Sequence, residues 1–94
     1  MAQLKITSPE APERLVELEP NNTLGRHPDN TVQILDRIVS KNHCHIDLVD
    51  GLYVLRDLGS LNGTYVNRRR IESHRLTDGD EVQVGKYKLS YLER

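Results

Sequence analysis

Short apolar runs alternate with turn-forming residues along almost the whole chain. Pro9 and Pro12, Pro20-Asn21-Asn22, Gly25, Pro28-Asp29-Asn30, Asp50-Gly51, Gly59, Asn62-Gly63, Asp78-Gly79 and Gly85 break the sequence at close intervals. The stretches between them are too short for ordinary helices and rich in β-branched residues and tyrosine. Strands at this spacing predict an all-β sandwich or barrel. The clearest element is a hairpin. His43–Val49 and Leu52–Asp57 alternate, and Asp50-Gly51 between them supplies a two-residue turn whose central residues both require positive φ. That loop sets Leu48 opposite Tyr53 and Ile46 opposite Leu55, with Cys44 on the same apolar face. His43, His45, Asp47, Val54 and Arg56 fall on the other, mostly polar face. A second hairpin is expected where Gly85-Lys86 separates Asp80–Val84 from Tyr87–Leu92, gathering Val82, Val84, Tyr87, Leu89 and Tyr91. Leu15–Leu18 and Thr31–Leu35 read as further strands.

Composition narrows the class. At 94 residues the chain is one domain, 1–94, with its core expected over 4–92. A domain of this size hides only about two-thirds of its unfolded surface. Apolar residues are 36 %, with no Phe and no Trp, so the core must be aliphatic. Charged residues are 29 %, split into 13 basic and 14 acidic. The resulting net charge of -1 argues against a general nucleic-acid binder, which needs a basic excess to displace phosphate counterions. No apolar run approaches the ~20 residues of a membrane span, so no membrane insertion is expected. The single cysteine, Cys44, cannot form an internal disulfide, and a reducing, cytoplasmic setting is expected.

Three polar segments interrupt the strands. They are Leu24-Gly25-Arg26-His27-Pro28, Val39-Ser40-Lys41-Asn42-His43, and Leu58-Gly59-Ser60-Leu61-Asn62-Gly63-Thr64-Tyr65. The second enters the central hairpin and the third leaves it, so the two are expected to lie side by side. An arginine, a serine hydroxyl, a lysine and an asparagine on one rim make a site for anionic oxygens. Guanidinium donors are forked to match phosphate, and hydroxyl and ammonium groups add the rest.

In order and spacing, Gly25-Arg26, Ser40-x-x-His43 and Gly59-Ser60-Leu61-Asn62-Gly63-Thr64 resemble the signature of forkhead-associated domains. Leu76-x-Asp78-Gly79-Asp80-x-Val82-x-Val84-Gly85 resembles the closing strands of that family. The resemblance runs from about Ile6 to Leu92, and the Gly59–Asn67 tract is similar to bacterial members that read Ser/Thr kinase signalling. It implies a β-sandwich of about eleven strands whose loops at one end bind phosphothreonine peptides. Carried over, Arg26 pairs with the phosphate, Ser40 hydrogen-bonds it, and Lys41 adds a contact from backbone or side chain. Asn62 holds the peptide backbone beside the phosphothreonine. Gly25, His43 and Gly63 shape the loops, and Ser60 braces the third loop or lies near the ligand. Many members carry Ser or Thr before the Asn-Gly, where this chain has Leu61, so a hydroxyl contact is missing there. The implied partner is a phosphothreonine protein, the substrate of a Ser/Thr kinase. Such modules usually sit beside other domains, so the chain is expected to be excised from a longer protein. Only Thr7 and Ser8 lie near its start, and no N-terminal self-phosphorylation switch is expected.

The same residues admit other chemistries. Arg26 alone would be a solvated surface arginine, Ser40 a turn residue, and Asn62-Gly63 a plain hairpin turn. No Gly-x-Ser-x-Gly elbow surrounds Ser40, and it lies too close in sequence to His43 for a hydrolytic triad; no enzyme activity is expected. Alternation separates Cys44 from His43 and His45, short of a zinc set, so Cys44 reads as core and the histidines as surface. No metal or cofactor is expected. Arg68-Arg69-Arg70 reads as a solvated turn. The competing functional reading is a phosphate-independent scaffold or oligomerisation domain on the same fold; a nucleic-acid-binding β-domain is the weaker third.

Overall fold

A computed structural model describes residues 2–94, which form eleven strands in two sheets. In chain order the strands are β1 (Ala2–Thr7), β2 (Arg14–Glu17), β3 (Asn21–Gly25), β4 (Val32–Gln33), β5 (Cys44–Val49) and β6 (Leu52–Asp57), then β7 (Thr64–Val66), β8 (Arg69–Ile71), β9 (Ser73–Arg75), β10 (Glu81–Val84) and β11 (Tyr87–Glu93). One sheet runs β2-β1-β11-β10-β7-β8 and the other β4-β3-β5-β6-β9. Neighbours are antiparallel throughout, except that β3 and β4 are parallel.

Period-two burial builds the core. Ala2, Leu4 and Ile6 of β1 are buried on alternate positions, as are Val82 and Val84 of β10 and Leu89 and Tyr91 of β11. Leu24, Cys44, Ile46 and Leu55 face them from the other sheet. The core is aliphatic except at Cys44 and Tyr91, and the Tyr91 ring meets Tyr53 edge-on at 6.1 Å. Burial, helped by Glu93, pushes the Tyr91 hydroxyl up to about 12.

Both expected hairpins are present. Leu48 pairs with Tyr53 and Ile46 with Leu55, and Asp50 and Gly51 sit at φ 51° and 80°. Val82 pairs with Leu89 and Val84 with Tyr87, across Gly85 at φ 62°. Three expectations need correction. Thr31–Leu35 forms only the two-residue β4, because the chain turns at once: Asp36 N donates to Ile34 O and Val39 N to Asp36 O. The Asp36 carboxylate then accepts from Ile38 N and Lys86 N, pinning that turn to the last hairpin. The arginine run is not one turn. Asn67-Arg68 is a turn with positive φ at both residues, while Arg69 and Arg70 belong to β8. Finally, His43 is not a surface histidine. It precedes β5, outside the alternation, and is fully buried.

Candidate functional site

The central hairpin sets the geometry. Its outer end closes at Cys44–Asp57, and Leu58 N donates to His43 O, extending the ladder one step. The segments before β5 and after β6 therefore leave together. The chain after β3 is fastened alongside: His43 N donates to Leu24 O, Arg26 N to Ser40 O and His27 N to Lys41 O. This approach is possible only at glycine. A Cβ on Gly25 would stand 2.2 Å from the Lys41 carbonyl oxygen. Asn30 locks the same crossing, its amide donating to both His27 O (2.9 Å) and Lys41 O (2.7 Å).

Three more bonds join the second and third loops. Ser40 N donates to His43 Nδ1 at 3.1 Å, so the ring proton sits on Nε2, which reaches Gly63 O at 2.8 Å. Leu61 N donates to Ser40 Oγ at 3.3 Å. Asn62 Nδ2 donates to Ile38 O at 2.7 Å. That bond uses one of the amide's protons and leaves the other, with Oδ1, for an outside partner.

A carboxylate organises the third loop from inside. Asp57 accepts from Ser60 N, Ser60 Oγ and Thr64 Oγ1, and Ser60 Oγ in turn accepts from Gly63 N at 3.1 Å. Burial works to raise the Asp57 pKa, but the Ser60 and Thr64 hydrogen bonds outweigh it and hold the carboxyl below its ordinary range. Sequence reasoning placed Asp57 in a strand and gave it no part in the loop. The signal available was Asp57-x-x-Ser60, the spacing at which a carboxylate caps backbone two or three residues on. Ser60 is buried and braces the loop from within.

The side chains left on the rim are Arg26, Lys41, Asn62 and Leu61, all exposed, with Ser40 half-buried among them. Arg26 Nε is held by Val39 O at 3.0 Å, which aims the guanidinium and leaves its two terminal nitrogens without partners among the described residues. Neither Arg26 nor Lys41 has an ion pair among the described residues, and the Asp57 carboxylate under the third loop is already hydrogen-bonded. A rim with unpaired cations, a hydroxyl and an amide suits an anion bearing several oxygens. Leu61, 85 % exposed, contributes an apolar edge where a hydroxyl is common in the family it resembles. Cys44 lies beneath the site, facing the core; burial pushes its thiol up to about 12 despite a hydrogen bond with Thr64. No group of three or more His, Cys, Asp and Glu side chains suited to a metal converges among the described residues.

The model of the FHA domain family matches residues 22–85, which contain all three loops. The chain belongs to the FHA domain family. The glycogen accumulation regulator GarA of Mycolicibacterium smegmatis is 44 % identical over 84 residues, covering 89 % of this chain and 53 % of that protein. The oxoglutarate dehydrogenase inhibitor of Corynebacterium diphtheriae is 44 % identical over 85 residues, covering 90 % of this chain and 59 % of its own length. The chain thus spans little more than half of these curated relatives. A solved structure from work on phosphothreonine-dependent FHA domain interactions superposes with a TM-score of 0.86 at 27 % identity, over 99 % of this chain and 96 % of that one. The two-sheet, eleven-strand sandwich is the FHA fold.

Proposed function

We propose that this FHA domain is a phosphothreonine-dependent peptide-binding module in Ser/Thr phosphorylation signalling, without catalytic activity of its own. The observation that carries the reading is the Arg26 guanidinium, fixed through Nε to Val39 O, unpaired at its tips and beside Ser40 and Lys41. In this reading Arg26 pairs with the phosphate, Ser40 and Lys41 complete its shell, and Asn62 holds the adjoining peptide backbone. Gly25, His43, Ser60 and Gly63 hold the loops in place, and Leu61 edges the site. The domain works in the cytoplasm, where a free buried thiol is stable, as one part of a longer protein. The likeness to relatives named as a regulator and an inhibitor supports a binding role.

Titration calorimetry with a phosphothreonine peptide library, parent against Arg26→Ala, tests this. Arg26 is exposed on a loop, so its loss should shift stability by less than about 0.5 kcal/mol. The lost charge-assisted contacts should cost binding about 1.5–3 kcal/mol. An Arg26→Ala protein that binds as tightly as the parent removes the assignment and leaves the phosphate-independent scaffold.

A further inference from the structure

The phosphate reading uses the first and second loops and the inner side of the third. One cation on the other side of the third loop remains unused. Arg70 pairs with Tyr65 in the β7–β8 hairpin, and its side chain lies across Gly63. A Cβ on Gly63 would stand 2.7 Å from Arg70 Nε and 3.0 Å from Cζ, so the guanidinium rests directly on the loop backbone. Gly63 meanwhile turns its carbonyl to His43. The third loop therefore lies between the Ser40–His43 segment and Arg70.

The placement of Arg70 is fixed by more than its own contact. Asn67 and Arg68 form a turn at φ 48° and 72°. Asn67 locks that turn, donating through Nδ2 to Asp80 Oδ1 and accepting from Glu81 N through Oδ1, each at 3.0 Å. Residues other than glycine reach such φ values reluctantly, so the register of β8 is held rather than chosen by chance. Yet the Arg70 side chain is exposed and makes no hydrogen bond or ion pair among the described residues. A pre-positioned forked donor with its hydrogen-bonding capacity unspent is a binding site for an anion.

We infer that Arg70 is a specificity-determining residue: it engages an anionic side chain flanking the phosphothreonine, so that the domain prefers acidic or doubly phosphorylated peptides. This rests on the phosphopeptide reading above. Asn62, adjacent to Gly63, holds peptide backbone in that reading, so chain passing over the third loop brings a neighbouring residue to Arg70. A carboxylate and a second phosphate share the chemistry that a guanidinium recognises.

The test starts from a phosphothreonine peptide with Gln at every flanking position. Single replacements by Glu, and by a second phosphothreonine, are then titrated into the parent and into Arg70→Gln, Arg70→Lys and Arg68→Gln. At least one replacement should tighten binding to the parent by about two- to fivefold, the range of an exposed charge pair, and lose that gain in high salt. Arg70→Gln should erase the gain while binding the all-Gln peptide as the parent does. Arg70→Lys should keep part of it, and Arg68→Gln, which changes net charge equally away from the loop, should keep all of it. A gain confined to the second phosphate assigns a dianion, and a gain from Glu assigns a carboxylate. No gain in the parent, or a gain that survives Arg70→Gln, overturns the inference. A parent that binds no phosphopeptide at all overturns the underlying reading instead.

Discussion

Replacing Asp57 by alanine should damage this protein more than replacing any residue on the rim. The carboxylate accepts three hydrogen bonds, from Ser60 N, Ser60 Oγ and Thr64 Oγ1. Thr64 is fully buried and Ser60 is 6 % exposed, so their donors have little access to water once the acceptor is gone. Each buried donor left unpaired costs about 1–3 kcal/mol, and hydroxyl rotation recovers part of it; Asp57→Ala should cost about 3 kcal/mol in all. That is a large share of the ~5–15 kcal/mol typical of a domain. Asp57→Asn keeps one acceptor oxygen but aims an amide donor at the other position, and should cost about half as much. Urea denaturation measures both. The pH dependence supplies a second readout. Hydrogen bonding holds the folded carboxyl below its unfolded value of about 3.9. The stabilisation is therefore complete above that value and is lost as pH falls through the lower, folded one. The gap between parent and Asp57→Ala should be full near neutrality and narrow in acid. An alanine variant within about 0.5 kcal/mol of the parent would refute the reasoning, since surface changes alone produce shifts of that size.

Ser40→Ala and Asn62→Ala should separate two kinds of contact. The first should weaken binding of bare sulfate and phosphopeptide alike, and the second should spare sulfate; equal loss of sulfate binding in both contradicts the division. A phosphothreonine peptide should bind about tenfold better than its phosphoserine twin, the worth of one methyl in an apolar recess. Equal affinities by calorimetry would mean that the rim offers the threonine methyl no apolar contact. Cys44, buried and with its thiol near 12, should resist thiol reagents at pH 8 in the folded state and react at once in denaturant. Fast labelling of the native domain would show that the core opens there.

Local patterns exposed the two hairpins because their turns carry glycine where positive φ is needed. The third hairpin, β7–β8, is hidden in the sequence for the opposite reason. Its turn is Asn67-Arg68, with arginine at φ 72°, and what holds it is Asp80, distant in sequence. The same limit applies at the site. Resemblance located Arg26, Ser40 and Asn62, but no periodicity could show that Ile38 O would anchor the Asn62 amide or that Asn30 would tie His27 to Lys41. Alternation misplaced His43 because the strand begins one residue later, and the ring turns inward to bridge Ser40 and Gly63. Bonds between loops depend on which strands become neighbours, and a single sequence carries that information only through the whole fold.

The division between residues that hold and residues that reach explains how so small a domain can present a selective surface. Arg26, Lys41 and Asn62 are exposed, so their contribution to folding is slight. Gly25 and His43 are set where one loop crosses the next, and Asp57 and Ser60 brace the third loop from within. Association normally loses about 0.5–1.5 kcal/mol for each mobile side chain it orders, and more for a mobile loop. Here folding has already met that cost: the Val39 carbonyl aims Arg26 and the Ile38 carbonyl aims Asn62 before any peptide arrives. Substitutions in the holding set should therefore lower stability and affinity together, whereas substitutions in the reaching set should lower affinity alone. A rim variant that melted early, or a brace variant that bound normally, would show that the two sets are not distinct.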